Sequence, residues 1–596
     1  MSSLEDSHPS RCVLILYATE TGTSQDAADR IARSCRRAHI QSRVLSTDAY
    51  SAADLISESI VIFLVSTTGS GIEPRSMTPM WSMLLRSDLP EDLFEDLRFA
   101  IFGLGDTSYD RFCWPAKKLF RRLKSLGAEE MCDLGEGDEQ HPMGIDGALE
   151  PWIDTLLEAL LRELPLPSEL ELMPIDHVPP SRVILIDTPN AKVTLDPLDT
   201  DENYHAATVK CNKRITAQDW FQDVRHLEFQ FEDDITYEPG DVAIIHPRTN
   251  PDQVEEFLSS MSWGNISDTI FEIEHTQKDQ SLPDHLPSTA SLRTILTCYL
   301  DFNAVPRRSF FQYLRYFTQD ALEKERLDEL LSPTGADDLY EYCFKVRRTI
   351  REVLSEFRGV RIPKEYIFDV FPPLRPRQFS IASSVKVFPR QIHLCVAMVK
   401  YKTKLKIPRR GVCSTYLSSL LPGDELRIGL QKGFITLPST TDTPIICIGP
   451  GTGIAPMRAI IQKRIHSGAD GNMLYFGCRS ATKDEHYNNE WVGYAARGPK
   501  KLTYRVAYSR DGPEGVKKTY VQDLMEMEED SKRLWGLLED EKAWVVISGS
   551  SNKMPTAVKQ ALQSAVEKYG GRVKDEAVEY IRALERSGRL IEECWG

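Results

Sequence analysis

A chain of 596 residues is too long for a single hydrophobic core, and roughly three to five domains are expected. Its 41% hydrophobic and 27% charged residues are those of a globular protein, and a net charge of −16 argues against nucleic acid as the main partner. No apolar run approaches the ~18 residues that span a bilayer. The polar, acidic N-terminus also lacks the marks of a signal or transit peptide, so a soluble, cytoplasmic protein without a membrane anchor is expected.

Arg11–Tyr17 reads as a buried parallel strand running into Thr19-Glu20-Thr21-Gly22-Thr23-Ser24 and then an amphipathic helix carrying Ala28, Ile31, Ala32 and Cys35. A hydroxyl-rich strand-to-helix turn aims N–H and O–H groups at a phosphate. The loop has no GK[ST] and no cation, so a single phosphate held by dipoles fits better than a triphosphate with magnesium. Ile60–Val65 ends in Ser66-Thr67-Thr68-Gly69, and Arg98–Phe102 ends in Gly103-Leu104-Gly105-Asp106-Thr107-Ser108-Tyr109. Ligands of open α/β sheets bind beyond such carboxyl ends, and Tyr109 offers a stacking face. Asp138 follows a fourth short apolar segment. Residues 1–165 hold 27 Asp+Glu and 16 Lys+Arg, a net of −11, either a solubilising surface or a docking face for a basic partner.

Five prolines between Pro165 and Pro180 mark 164–202 as a semi-rigid linker that would let the first domain swing. Tyr204–Cys211, Val224–Phe231 and Val242–His246 read as barrel strands. Residues 251–365 turn helical, with amphipathic stretches at Ser309–Phe317 and Tyr340–Phe357. They carry no chemical motif and are expected to be a spacer that orients two domains.

After Pro372-Pro373-Leu374-Arg375-Pro376 comes Arg377-Gln378-Phe379-Ser380. This is either a strand with one surface arginine or a grip on a flat anionic cofactor: Arg377 forks onto a pyrophosphate, Phe379 covers a ring and Ser380 bonds a ring nitrogen. Gly411-Val412-Cys413-Ser414 opens a helix suited to a second pyrophosphate contact, and the basic stretch Lys400–Arg410 before it serves either that contact or a solvated loop. Pro444–Ile448 then ends in Gly449-Pro450-Gly451-Thr452-Gly453, which admits a pyrophosphate close to the backbone. Ser509-Arg510 and Lys518-x-Tyr520-x-Gln522 supply cations and hydroxyls for a 2′-phosphate, favouring NADPH over NADH. Twelve cysteines without a CxxC pair offer no zinc or iron–sulfur cradle, and no metal is expected.

Taken together, T-x-T-G-T-S, F-G-L-G-D-x-x-Y, R-x-F-S, G-V-x-S and G-P-G-T-G-x-A-P resemble the diflavin reductases, the class that includes cytochrome P450 reductase. Met80–Pro90 and Asp138-Glu139-Gln140-His141 look most like the NADPH-dependent diflavin oxidoreductases of cytosolic iron–sulfur protein assembly. The resemblance implies an α/β multidomain chain. A flavodoxin-like doubly wound FMN domain (11–163) would be followed by an FAD-binding antiparallel β-barrel (203–440) interrupted by the helical insert, and then by a Rossmann-like NADPH-binding domain (441–596).

It also implies site residues. Asp110, Arg111, Phe112 and Cys113 join the FMN loops; Arg347, Gln378 and Tyr401 join the FAD set, with Tyr401 near the adenine; Thr519 and Val521 join the NADP set. Trp595 covers the FAD ring, and Glu593, Ser380 and Ser548 form the hydride-transfer site. Three positions depart from relatives: Thr68 stands where many have an aromatic residue, Ser548 where several have a cysteine and Ala557 where some have an acid. The implied route is NADPH to FAD to FMN to a one-electron acceptor, an anamorsin-type iron–sulfur protein docked on the acidic FMN domain, in a cytoplasmic protein with conditional mitochondrial association. A haem or cobalamin enzyme as acceptor, a redox-inert scaffold and an oxygen-reducing oxidase are the alternatives.

Overall fold

The computed structural model describes residues 11–595 except 69–70, 109–110, 175, 189–195, 277–281, 405 and 513–517, and excluding the side chain of Trp595. The chain divides into two compact units. Unit one is Met1–Asp196, Thr249–Arg375 and Thr403–Leu405; unit two is Pro197–Arg248, Pro376–Lys402 and Lys406–Gly596.

Unit one opens with a parallel sheet of β1 (Cys12–Ala18), β2 (Gln41–Ser46), β3 (Ile60–Ser66), β4 (Arg98–Gly105), β5 (Glu129–Glu130) and β6 (Gly135–Asp138). Its order is β2-β1-β3-β4-β5, with β6 also pairing β4. β1, β3 and β4 are buried along nearly their whole length because helices cover both faces, which is why they read as unbroken apolar runs. Helix α1 (Thr23–Arg37) lays Ala27, Ala28, Ile31, Ala32 and Cys35 on one of those faces. The order reverses between β1 and β3, so the loops after these strands flank the crevice where such sheets bind ligands.

The rest of unit one departs from the expected linker and all-helical spacer. Val183–Asp187 is a strand that pairs antiparallel with Ile270–His275, which in turn pairs with Thr289–Ser291. Linker and insert thus share a small sheet. The expected continuous helix over 340–357 is broken: a π-helical turn (Tyr340–Phe344) leads to Arg347 at φ +52°, and a new helix starts at Ile350 under a Thr349–Glu352 capping box. The core here is aromatic, with Phe257 stacked on Phe302 at 4.3 Å.

Unit two holds a six-stranded antiparallel sheet ordered Arg377–Ser380, Val242–Ile245, Glu425–Gln431, Tyr204–Arg214, Val224–Phe231 and Gln391–Ala397. The last of these strands stops at Ala397, and within the basic stretch Lys400–Lys402 pairs with Pro408–Arg410 in a separate hairpin. A parallel sheet follows, ordered Thr503–Tyr508, Asn472–Cys478, Ile445–Ile448, Trp544–Ser550 and Leu590–Trp595. Its switch point lies between Ile445–Ile448 and Trp544–Ser550, beside the glycine loop 449–453. Among the described residues no helix is long and apolar enough to cross a membrane.

Candidate functional site

At the carboxyl edge of the first sheet, Gly22 takes φ +91° to start α1, and its N–H donates to Thr19 Oγ1 at 2.9 Å. Glu20, the awkward acid in a phosphate loop, is turned aside: its carboxylate accepts from the Arg75 N–H at 2.8 Å. Ser24 is fully buried, and its hydroxyl has no hydrogen-bond partner among the described residues. That is an orphan a bound phosphate would satisfy. Thr21 and Thr23 complete the turn, their hydroxyls 3.5 Å apart.

In the second loop Ser66 donates to Ala18 O, Thr67 N–H to Leu104 O, and the Thr68 hydroxyl to Ile72 O at 3.1 Å, so Thr68 spends its hydroxyl on its own turn. The third loop is braced by Asp138, whose carboxylate accepts from Thr107 N (3.0 Å), Thr107 Oγ1 (2.7 Å) and Gln140 N (2.9 Å). Desolvation pushes this carboxyl up, but those hydrogen bonds outweigh it and hold the pKa below the usual range. Asp106 accepts from Ser108 N and Gln140 Nε2. Arg111 packs against Gly71, and Phe112 and Cys113 against Gly105. The side chains of Leu104 and Cys113 are buried in the fold. Gly69, Tyr109 and Asp110 lie outside the described residues.

In unit two, Arg377–Ser380 and the Gly411 helix start converge. Arg377 lies close enough to Cys413 for its charge to oppose the burial that pushes this thiol up to about 12. Gly411 has no room for a side chain: a Cβ would stand 2.9 Å from Ser414 Oγ and 3.0 Å from Val399. Ser414 Oγ in turn accepts from Val399 N–H and donates to Gly411 O, and Val412 begins the helix. Phe379 packs at the edge of the barrel core, Gln378 donates to Gln431, and Tyr401 is exposed on its hairpin. Arg347 belongs to unit one, where its charge, with that of Arg307, bears on Glu139 of the flavodoxin-like lobe.

The nicotinamide end is tightly built. A Cβ on Gly453 would meet Ser548 O at 2.1 Å, so the loop Gly451-Thr452-Gly453 lies directly on the strand that carries Ser548. Ser548 is fully buried, its hydroxyl has no partner among the described residues, and it stands in register with Glu593 on the next strand. Ser380 Oγ donates to Glu593 Oε2 at 3.4 Å. The expected hydride-transfer residues Ser380, Ser548 and Glu593 are thus gathered beside the glycine loop, and the backbone of Trp595 continues the strand. Ser509 and Arg510 follow their strand end, fixed by N–H bonds to Cys478 O and Arg479 O. Lys518 and Tyr520 are exposed, Thr519 and Gln522 half-buried, and Val521 turns into the core.

One cluster among the described residues has metal-ligand geometry: His226, Glu228 and His393 on the outer face of the barrel sheet. It is a closed hydrogen-bond network instead. His393 Nδ1 accepts from Arg458 at 3.2 Å, which leaves its proton on Nε2 facing Gln391 at 3.3 Å. His226 bridges Tyr487 and Glu228.

Sequence reasoning missed Arg307 and Arg375, which reach the first hydroxyl loop. Arg307 donates to Thr23 Oγ1 at 3.2 Å, and Arg375 lies against Gly22. A Pro-flanked arginine was the only local sign.

A hydroxyl loop at one switch point, a barrel strand with R-x-F-S, and a glycine loop at a second switch point define a diflavin reductase. Family models agree: residues 15–152 match the flavodoxin model, 197–416 the FAD binding domain and 447–560 the oxidoreductase NAD-binding domain. Proteins named NADPH-dependent diflavin oxidoreductase 1 align along nearly the entire chain. The one from Cryptococcus neoformans is 39% identical over 98% of this chain and 100% of its own length. That from Xenopus laevis is 38% identical over 98% and 100%, and that from Bos taurus 37% over 98% and 100%. The chain belongs to the NADPH-dependent diflavin oxidoreductase family, an NADPH-driven flavoenzyme using FAD and FMN.

Proposed function

We propose that the chain draws electron pairs from NADPH at Ser380, Ser548 and Glu593 and delivers single electrons from its flavodoxin-like lobe to an anamorsin-type iron–sulfur protein in the cytoplasm. FAD supplies acceptance of a hydride and FMN the release of electrons one at a time. The observation that carries the entry step is the Ser380–Glu593 contact beside the glycine loop. A carboxylate there favours the positive charge that grows on nicotinamide as hydride leaves, and the Ser380 hydroxyl holds it in place. Arg510 and Lys518 would select the 2′-phosphate, and Arg377 with the Gly411 turn would hold the FAD pyrophosphate.

The acceptor reading rests on charge. The first 165 residues carry a net of −11, and Asp106 and Asp138 sit at the third loop, where a flavin edge would emerge. A basic face on the partner would be steered there, with an effect mainly on the encounter rate. The test mixes purified protein, NADPH and an oxidised anamorsin-type protein without oxygen, and follows bleaching of the cluster. Rapid reduction that slows with added salt supports the reading. Reduction of a haem or cobalamin protein with the cluster left oxidised would refute it.

A further inference from the structure

The segment Thr249–Arg375 of unit one, which contains the insert, reaches the flavodoxin-like lobe. Arg375, its last residue, presses on the turn between the first strand and α1: a Cβ on Gly22 would lie 2.2 Å from its Nε and 2.8 Å from its Cζ. Gly22 caps the N-terminus of α1, the positive end of the helix, where a cation is repelled unless an anion shares the place. Arg307 approaches the same turn, donating to Thr23 Oγ1 at 3.2 Å and lying 3.7 Å from Asp26. Burial pushes the Arg375 pKa down; Asp284, Tyr17 and Asp29 counter this in part, and the neighbouring Arg307 charge adds to the fall. Ser24, in the same turn, keeps a fully buried hydroxyl without a partner among the described residues. The loop itself contributes Glu20 and no cation.

We propose that Arg375 and Arg307 bind the FMN phosphate, so that the segment 249–375 completes the phosphate site of the flavodoxin-like lobe. Two guanidinium groups supply the charge that a dianionic phosphate needs and that helix dipole and hydroxyls leave unbalanced. Because both arginines belong to the segment 249–375, FMN binding and the seating of that segment on this loop favour each other by the same factor. The proposal rests on reading Thr19–Ser24 as the phosphate loop.

The test titrates flavin-stripped, full-length protein with FMN and with riboflavin, which lacks the phosphate, and follows quenching of flavin fluorescence. Arg375→Met and Arg307→Met should each weaken FMN by about ten- to a hundredfold and leave riboflavin unchanged. Unchanged riboflavin binding also certifies the fold, and Arg375→Lys should recover most of the loss. Unaltered FMN affinity, or equal losses for both flavins, would overturn the proposal, the latter indicating a packing role. Thr21→Ala and Ser24→Ala separate the two levels. If they weaken FMN while the arginine variants do not, only the arginine proposal falls. If they too leave the preference for FMN intact, the phosphate-loop reading falls with it.

Discussion

Replacing Gly453 by alanine isolates what the glycine loop contributes, because the position needs space and not an unusual backbone. Its φ of −59° suits any residue, yet the new Cβ would lie 2.1 Å from Ser548 O and 2.7 Å from Ser548 C. Carbon and oxygen approach to about 3.3 Å without strain, so an overlap of roughly 1.2 Å must be relieved by moving backbone. Overpacking a well-filled interior costs about 1–3 kcal/mol, and a collision with a paired strand belongs at or above the top of that range. If the free loop relieves the collision by leaving its place on the strand and must return to it to hold the pyrophosphate, about 3 kcal/mol corresponds to a 150-fold loss of NADP⁺ affinity. Gly451 is the control. It has φ +59° and nothing within 4 Å of its would-be Cβ, so alanine there meets only left-handed strain. That strain is about 1–2 kcal/mol, or roughly 5- to 30-fold. Equilibrium binding of NADP⁺ to both variants, with FAD content confirming the fold, measures the ratio. Equal losses, or the larger one at Gly451, would refute the reasoning that the loop rests on the Ser548 strand.

Three further outcomes are expected. Arg510→Ala should raise KM for NADPH about 10- to 150-fold, the worth of a charge-assisted contact of about 1.5–3 kcal/mol, and barely alter NADH; equal changes would remove the 2′-phosphate role. Glu593→Gln keeps an acceptor for Ser380 but loses the charge, so flavin reduction in rapid mixing should slow about 10- to 100-fold with little change in NADPH affinity. A pure affinity loss would contradict this. His393 is buried, and desolvation together with the Arg458 charge pushes its pKa down to about 2. The folded value lies below the unfolded ~6.5, so the unfolded chain gains protons first and stability falls as pH drops below about 6.5, by ~1.4 kcal/mol per unit. A ring resonance of His393 that titrates near pH 6.5 in the folded protein would disprove it.

The parallel strands and their loops were legible in the sequence because burial on both faces makes strands such as Val13–Leu16 and Ile60–Val65 continuous apolar runs. Motif order then placed the hydroxyl and glycine loops at switch points without knowledge of the sheet. What escaped depends on distant pairing. The strand Val183–Asp187 carries an unbroken apolar run, Val-Ile-Leu-Ile, that the flanking prolines hid in a linker reading, and its antiparallel partner Ile270–His275 lies far along the chain, beyond several other elements. The break at Arg347 has no glycine to announce a positive φ. The contact that holds Glu20 was not legible either, since its carboxylate accepts from the N–H of the distant Arg75. Arg375 read as part of a breaker segment, since nothing local tells that its side chain crosses to Gly22.

The central claim is that electrons enter at unit two and leave through the flavodoxin-like lobe. It is tested by removing FMN alone and supplying NADPH with both ferricyanide and an oxidised iron–sulfur protein. The account predicts that ferricyanide reduction by the FAD site persists, that reduction of the protein acceptor stops, and that added FMN restores it. An acceptor reduced as fast without FMN as with it would contradict the account.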